Sequence, residues 1–434
     1  MLRRNFFITV ITVSLLLLHT SCDSMLDLFP HSSVATDNLT EEDADLLLTG
    51  LYYYTQNKPT VNGYITQDIL GGNFIRGGAS GYATYQILLN DLITPESGFV
   101  SDPWNGYYTN LYQINEFITS VEKMTDSDKK NSLLGVAHFF RGLVYYNLVT
   151  RWGAVPLIKV PTTEDVAASP ETEIWEFVEE EFGKAIQFCP QFSSNEYVSK
   201  EAAKALMARV KLATGKKAEA ATLAEEVITS GFFGLDQFEK IFRRTANNEI
   251  IFAFTNLPEE SSIRTSTFFY TRDSSVGGSY TYAPTNDVMN MFDPNDKRKD
   301  ISVAVQATNN VLNKYPSGET STDPIIITRL AEMYLISAEA KGLSNGLGRL
   351  NELRTFRGLA PVNPANETEF IDAILQERHL EFLGEGFRWF DLVRTGRLET
   401  KLNLDSKFNK LPVPSREMEL NKLLEQNSHW KSAE

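Results

Sequence analysis

Cysteine and histidine are scarce in this sequence. Its 434 residues include two cysteines, Cys22 and Cys189, and five histidines. Two cysteines form at most one internal disulfide, which excludes a fold held together by a disulfide framework. No two histidines lie three or four residues apart, as they do in helical zinc-binding motifs. The sequence therefore predicts no metal site, and it contains no motif that indicates a cofactor.

The sequence gives little support for cysteine-dependent catalysis or for a phosphate-binding loop. Cys189 directly precedes Pro190 and has no histidine nearby in sequence, so we expect a buried structural thiol rather than a nucleophile. The glycines of GGNFIRGG, residues 71–78, lack the Gly-Lys-Ser/Thr ending and the strand–turn–helix context of a phosphate-binding loop. These absences argue against cysteine-dependent and nucleotide-dependent enzymes.

Positive charge is also in deficit. Lysine and arginine together number 41 against 56 aspartates and glutamates, which gives a formal net charge of −15. Binding to nucleic acid requires a cationic surface that neutralises phosphates, so no nucleic acid partner is predicted. A hydrophobic fraction of 42% and a charged fraction of 22% are typical of a globular protein.

The N-terminus has the features of an export signal. Arg3 and Arg4 precede an apolar run from Phe6 to Leu18, which is shorter than the roughly 20 residues that a membrane-spanning helix needs. Cys22 follows the run directly, as the lipid-modified cysteine does in bacterial lipoproteins. We predict that residues 1–21 are a lipoprotein signal peptide and that Cys22 is a lipid anchor attaching the protein to a membrane.

The mature chain is predicted to be all-α, or mainly so, and to form one domain over residues 22–434. Apolar residues recur at three- and four-residue spacing, as in Tyr107, Leu111 and Ile114, which indicates amphipathic helices. Alanine-rich helices around Gly215 resemble a tetratricopeptide helix pair. The predicted helical scaffold covers about 40–56, 105–235 and 324–398, and glycine- and tyrosine-rich loop insertions cover about 57–104 and 245–323.

Residues 375–398, LQERHLEFLGEGFRWFDLVRTGRL, combine a histidine, several carboxylates and several arginines with large aromatic side chains. Glycoside hydrolases need only two carboxylates, so acidic residues within 377–391 leave hydrolysis open as an alternative. Glutamates at four-residue spacing repel one another on a helix unless arginines intervene. We therefore predict a structural charge network that joins two helices at the break formed by Gly384 and Gly386. Its predicted members are Glu377, Arg378, Glu381, Glu385, Arg388, Asp391 and Arg394.

Several segments together resemble one family. They are YLISAEAKG, LNELRTFRGL, ILQERHLEFLGEGFRWFDLVRTGRL and LPVPSREMELN near the C-terminus, with CDSMLDLFP, AHFFRGLVYYNLVTRWGAVPL, AAKALMARVKLATG and MFDPNDKRKD upstream. On these segments the chain is identified as similar to the SusD-like (RagB-type) lipoproteins of Bacteroidota. The resemblance extends over essentially the whole chain.

The resemblance implies a fold and a function. It implies a tetratricopeptide-like helical scaffold with irregular loops, lipid-anchored at the cell surface of the outer membrane. It further implies a protein that binds an oligosaccharide, takes part in polysaccharide utilization, and delivers the ligand to a SusC-like TonB-dependent transporter. It implies no catalytic activity. A protein-interaction scaffold without a small-molecule ligand remains a further alternative.

Sugar-binding candidates follow from the chemistry of sugars. The C–H faces of sugar rings stack on flat aromatic side chains, and their hydroxyls bond to amide, carboxylate and guanidinium groups. Trp152, Trp175 and Trp389 lie in predicted helices and are expected in the core. The predicted carbohydrate-binding residues are Trp104, Asn105, Tyr107 and Tyr108, then Asn73 and Arg76, and then Tyr270, Tyr280 and Tyr282.

Overall fold

The structure is a computed structural model that describes residues 39–78, 82–259, 263–272, 274–275, 277–320 and 322–431. The predicted signal peptide, residues 1–21, and the predicted lipid anchor Cys22 lie outside the described residues. Within the described part of the chain, no helix combines the length and the apolar character that crossing a membrane requires.

The described chain is mainly helical, as the sequence predicts. The longer helices are α1 (Glu41–Asn57), α2 (Thr60–Leu70), α3 (Tyr82–Leu92), α4 (Gly98–Glu122), α5 (Asp128–Trp152), α6 (Glu171–Phe188), α7 (Lys200–Ala213), α8 (Lys217–Ile228), α12 (Leu330–Phe356) and α13 (Glu367–Phe382). The short helices are α9 (Phe238–Phe242), α10 (Asn286–Asn290), α11 (Lys299–Ser302), α14 (Arg388–Arg394), α15 (Leu398–Leu402) and α16 (Ser415–Leu420).

Four small antiparallel sheets accompany the helices. The strands are β1 (Phe74–Arg76), β2 (Val155–Pro156), β3 (Ala168–Ser169), β4 (Ile250–Phe254), β5 (Tyr282–Pro284), β6 (Val303–Gln306), β7 (Asn309–Leu312) and β8 (Ile325–Arg329). The pairs are β1 with β5, β2 with β3, β4 with β8, and β6 with β7. The chain after Asp323 therefore enters a strand before α12, whereas the sequence predicted a helix there directly.

Helix pairs form the scaffold, and small residues set their spacing. α5 packs on α6, α7 on α8, and α8 on α12. A Cβ at Gly135 of α5 would lie 2.5 Å from the backbone nitrogen of Cys189, so only glycine allows this approach of the α6 end. Ala202, Ala205 and Ala220 are fully buried between α7 and its neighbours. The helices thus enclose one continuous apolar core.

The predicted loop insertion at 57–104 is instead largely helical. It contains α2, α3 and the beginning of α4. Gly63 and the β-branched residues of α2 are weak helix formers, but Ile65, Ile69 and Leu70 are almost completely buried. Burial of this apolar face outweighs the unfavourable local propensity, which acts only as a weak bias.

The strand pair β1–β5 connects the two segments that the sequence predicted as separate insertions. Ile75 pairs with Ala283, and Arg76 pairs with Tyr282. The backbone N–H of Thr285 donates to the carbonyl oxygen of Asn73 at 3.1 Å and extends this pairing. Residues that are about 200 positions apart in sequence therefore share one surface, which gives the molecule its candidate site.

Candidate functional site

Trp104 and its neighbours occupy the core rather than a ligand surface. The Trp104 side chain is 1% exposed, and its ring lies 5.2 Å from that of Trp152 in an edge-to-face arrangement. Tyr107 is 4% exposed, and the hydroxyl of half-buried Tyr108 donates to the carbonyl oxygen of Pro156 at 3.0 Å. Asn105 alone of the four is exposed, on α4. The prediction of sugar contacts at Trp104 and Tyr107 is therefore wrong for this structure.

The reason is that α4 begins earlier than predicted. Ser97 caps its first turn by accepting a hydrogen bond from the backbone N–H of Phe99 at 3.1 Å. With the helix starting at Gly98, Trp104 belongs to the same apolar stripe as Tyr107 and Leu111. The three- and four-residue spacing from Trp104 onward was the signal that could have identified it as a core residue.

Asn73 has a structural role as well. Its side chain is completely buried, and its Nδ2 donates to Oδ1 of Asp68 at 2.7 Å. The Oδ1 of Asn73 lies 2.7 Å from Nε2 of His379, and burial, with help from Arg388, holds the pKa of His379 well below its usual range. A neutral His379 that carries its proton on Nε2 donates this bond. Asn73 therefore joins α2, β1 and α13 and is not available to a ligand.

Asp68 is the centre of this junction. Its carboxylate also accepts hydrogen bonds from the backbone N–H groups of Gly384 at 3.0 Å and Gly386 at 2.7 Å. Burial raises the pKa of Asp68 to about 6, and the hydrogen bonds from Asn73 and the two glycines only partly oppose that rise. Asp68 thus links the glycine break of the C-terminal segment to the loop that leads into β1.

Two of the three predicted tyrosines of the second insertion are also packed. Tyr270 is 3% exposed, and its hydroxyl donates to Oδ1 of Asn313 at 2.6 Å. Tyr282 is 4% exposed, with its ring 6.3 Å from that of Phe99 and 5.9 Å from that of Phe268. Burial raises the pKa of both phenols to about 12. Their prediction as sugar contacts is corrected: Tyr282 packs the insertion against α4, and Tyr270 joins two parts of the insertion.

Arg76 and Tyr280 remain accessible, and the β1–β5 pairing brings them to one surface. The Arg76 guanidinium is half exposed and pairs with the half-exposed carboxylate of Asp91 at 2.9 Å. Tyr280 is half-buried, and the exposed hydroxyls of Ser279 and Thr281 lie 2.7 Å apart beside it. We call these five residues, Arg76, Asp91, Ser279, Tyr280 and Thr281, the β1–β5 surface.

The backbone holds Tyr280 in an unusual conformation. Its φ of 49° lies in the left-handed region, which non-glycine residues rarely adopt. The N–H of Tyr280 donates to the carbonyl of Tyr270 at 2.9 Å, and its hydroxyl accepts a hydrogen bond from the backbone of Gly78. A Cβ at Gly77 would lie 2.0 Å from the carbonyl oxygen of Tyr280. The contacts on both sides fix the aromatic ring of Tyr280 at the end of the strand pair that also carries Arg76.

The acidic residues of 375–398 form a buried ion network. Glu381 is completely buried, and its carboxylate accepts hydrogen bonds from Arg329 at 2.5 Å, from Arg357 at 2.8 Å and from Arg298 at 2.8 Å. Burial opposes ionisation, but the guanidiniums of Arg357, Arg329 and Arg298 outweigh it and hold the pKa of Glu381 well below its usual range. Glu377 shares Arg298 at 2.6 Å.

A second part of the network surrounds Asp391. Its carboxylate accepts hydrogen bonds from Arg378 at 2.7 Å and from Arg394 at 3.0 Å, and Arg394 also bonds to Glu339. Arg388 differs from its predicted role, because its Nε donates to the backbone carbonyl of Gly71 at 3.0 Å. Sequence reasoning missed several partners, because they come from distant segments. The missed partners are Glu249, Asp296, Arg298, Lys314, Arg329, Glu339, Arg354 and Arg357.

The network lacks the geometry of a hydrolytic site. Glu377, Glu381 and Glu385 have side chains that are 0–1% exposed and engaged by cations, so no substrate reaches them. The Gly-x-Ser-x-Gly spacing of a nucleophile elbow occurs at 342–346, but Ser344 follows a kink at Gly342 between two helical parts of α12 and not a strand-to-helix turn. Burial raises the pKa of the Cys189 thiol to about 12, which leaves it protonated.

No cluster of three or more histidine, cysteine, aspartate or glutamate side chains suited to a metal ion occurs in the described part of the chain.

Comparison with known proteins gives consistent matches. A family model described as "SusD family" matches residues 311–410, and one described as "Starch-binding associating with outer membrane" matches residues 24–212. A SusD-like protein of Formosa agariphila is 26% identical, with 91% of this chain and 92% of that protein covered. A SusD-like protein of Bacteroides ovatus is 23% identical, with 68% and 65% covered.

Solved structures share the fold. A SusD superfamily protein from Bacteroides vulgatus matches with a TM-score of 0.79 at 22% identity, covering 90% of this chain and 99% of that chain. A laminarin-binding SusD-like protein matches with a TM-score of 0.77 at 21% identity, covering 90% and 100%. The sequence matches at both ends of the chain and the shared helical fold agree with one another: the chain belongs to the SusD-like (RagB-type) family.

Proposed function

We propose that this protein binds a glycan at the β1–β5 surface. The observation that carries the proposal is the half-buried Tyr280 ring, held by its backbone between two exposed hydroxyls, two residues before the strand residue that pairs with Arg76. An aromatic ring gives the C–H face of a sugar a flat apolar partner, and the surrounding donors and acceptors match sugar hydroxyls. A fixed ring binds with little loss of conformational entropy.

Two of the matches support a glycan as the ligand class. One family model, over residues 24–212, is described as starch-binding, and one structure that shares the fold is a laminarin-binding protein. Both named ligands are glucose polymers with exposed hydroxyls and C–H faces. They make soluble glucans the first ligands to test.

The experiment compares retention of the purified protein by immobilised or gel-embedded glycans before and after Tyr280→Ala. We expect the substitution to weaken binding about tenfold or more, since loss of an aromatic anchor costs on the order of 2 kcal/mol. Tyr280→Phe keeps the ring and is expected to retain most of the affinity. Assay of new reducing ends in the same incubations tests the alternative of a glycoside hydrolase.

Tyr112→Ala is the matched control. Tyr112 is 47% exposed on α4, thirteen residues beyond Phe99, which contacts Tyr282. At 1.5 Å per residue, Tyr112 lies about 20 Å along the helix from the proposed site. Its replacement is expected to leave binding unchanged. Equal retention of Tyr280→Ala and the unaltered protein would place the glycan site away from the β1–β5 surface. Retention of neither protein would favour a protein-interaction scaffold.

We further propose that the protein acts at the cell surface. Cys22 would carry the lipid that anchors it to the outer membrane, and a SusC-like TonB-dependent transporter would receive the bound glycan. The family description that includes association with the outer membrane supports this location. Cys22→Ala is expected to move the protein from the membrane fraction to the soluble fraction. Unchanged membrane association of that variant would contradict the anchor.

A further inference from the structure

Arg151 is a buried cation that has no carboxylate partner among the described residues. It lies near the end of α5 and is 4% exposed. Its Nη1 donates to both oxygens of Asn147, and its Nη2 donates to the carbonyl oxygen of Gly63 at 2.7 Å. The guanidinium lies 5.5 Å from the centre of the Tyr107 ring. None of these partners has a formal negative charge, and an uncompensated buried charge is costly.

Arg151 and Arg378 line the same cavity, and each retains an unused donor. The Nε of Arg151 and the Nη1 of Arg378 are buried and have no hydrogen-bond acceptor among the described residues. The cavity has a volume of about 110 Å³. One water molecule needs only roughly 10–15 Å³, so this cavity has room for an ion with part of its hydration shell.

The carboxylates at the cavity do not compensate Arg151. Glu385 and Asp391 also line it, but each is paired with two cations of its own at 2.7–2.9 Å. Arg209, a third lining arginine, is paired with Glu332 at 2.5 Å. Arg394 is also paired with Glu339. The other lining arginines, Arg209, Arg378 and Arg394, are thus matched by Glu332, Asp391 and Glu339, and the charge of Arg151 remains in excess.

We propose that this cavity binds a small monovalent anion of the size of chloride, held by Nε of Arg151 and Nη1 of Arg378. Such an anion accepts both unused hydrogen bonds and neutralises the excess guanidinium charge. It also connects α5 to α14 through Arg378 and Asp391, and Arg151 already binds α2 at Gly63. The ion thereby stabilises the junction from which α2 leads, through Asp68, into β1.

Bromide provides the direct test, because it replaces chloride and scatters anomalously. Crystals of the purified protein grown in sodium bromide are expected to show an anomalous peak within hydrogen-bond distance of Nε of Arg151 and Nη1 of Arg378. Replacing gluconate by chloride at constant ionic strength is expected to raise the Tm by a few degrees. Water density without a bromide peak overturns the proposal, as does a peak without any rise in Tm.

Arg151→Met tests the role of the excess charge. We expect this variant to lose the difference in Tm between chloride and gluconate. Arg416→Met, which removes an exposed arginine from α16, is the matched control and is expected to keep the difference. A chloride effect that persists in Arg151→Met overturns the assignment of the site. Should Arg151→Met not fold, the bromide map and the Tm of the unaltered protein still decide the question.

Discussion

The C-terminal charged segment, residues 375–398, and the β1–β5 surface differ in almost every physical respect. The segment contains completely buried carboxylates, such as Glu381, each bound by more than one cation. The surface contains one half-exposed ion pair, between Arg76 and Asp91, and the half-buried ring of Tyr280. The segment is dense in charged motifs, whereas the surface is assembled from residues that form no motif.

The difference shows that a charge-rich segment can reflect the requirements of folding and not those of binding. A buried ionic group requires all of its partners at once, so the sequence around it is strongly constrained by folding alone. A binding surface for sugars requires only an accessible ring and suitable donors, and many arrangements supply these. In this protein the conspicuous segment serves the fold, and we assign the function to the inconspicuous surface.

The largest expected effect is on stability, from Glu381→Gln. The substitution removes the negative charge that Arg298, Arg329 and Arg357 share, at nearly constant volume. Breaking a buried pair in this way costs about 3–5 kcal/mol. Chemical denaturation is expected to show that loss or a failure to fold. Glu180→Gln, at a half-exposed pair with Lys184, is the control and should cost less than about 1 kcal/mol. Similar losses in the two variants would contradict the network.

An intermediate effect is expected from pH, through Asp68, which connects the two regions. Its folded-state pKa is raised from 3.8 to about 6, so its protonated form is favoured by folding. The corresponding stability is present below the unfolded-state pKa and is lost as pH rises through the folded-state value. A rise of this size corresponds to about 3 kcal/mol.

Asp68→Asn removes that titration. The free energy of unfolding of the unaltered protein, measured by chemical denaturation, should therefore fall by up to about 3 kcal/mol relative to that of the variant between pH 4 and pH 7. Glu381 and Glu385 have lowered pKa values and so act in the opposite direction, at lower pH. Asp126→Asn, at an exposed carboxylate, should show no such difference. If the difference in the free energy of unfolding between the Asp68 variant and the unaltered protein were constant over this pH range, Asp68 would not be the group with the raised pKa.

The smallest effect on stability, with a clear effect on binding, is expected from Gly77→Ala. The new Cβ would approach the carbonyl oxygen of Tyr280 to 2.0 Å and separate β1 from β5. We expect about 1–3 kcal/mol of destabilisation and at least a tenfold loss of glycan affinity. Gly348→Ala in α12, where no atom lies within 4 Å of the new Cβ, should stabilise by about 0.5–1 kcal/mol and keep binding. Unchanged binding in both variants would separate the ligand site from this strand pair.

The ranges predicted as helical scaffold contain well-capped helices of the structure. α5 (Asp128–Trp152) lies within the predicted range 105–235, and α13 (Glu367–Phe382) lies within 324–398. Ser127 and Asn366 cap them through side-chain hydrogen bonds to the backbone N–H of Lys130 and Glu369. The segment 57–104 was misjudged, because its helices are stabilised by burial of residues such as Ile69 and not by local propensity.

The candidate site was predictable only in part. Arg76 and Tyr280 remain candidates, whereas Trp104, Asn73 and Tyr282 are buried. Composition identified segments rich in aromatic and polar residues, but the exposure of a side chain depends on which distant segment packs against it.

The sequence by itself determined the helical class, because apolar spacing and composition act between near neighbours within short stretches of chain. It also identified the family, through the resemblance of several segments to those of SusD-like proteins. The tertiary structure alone decided that β1 pairs with β5, that Glu381 meets Arg298, Arg329 and Arg357, and that Tyr280 stays accessible. Such pairings depend on the three-dimensional packing of segments that are far apart in sequence.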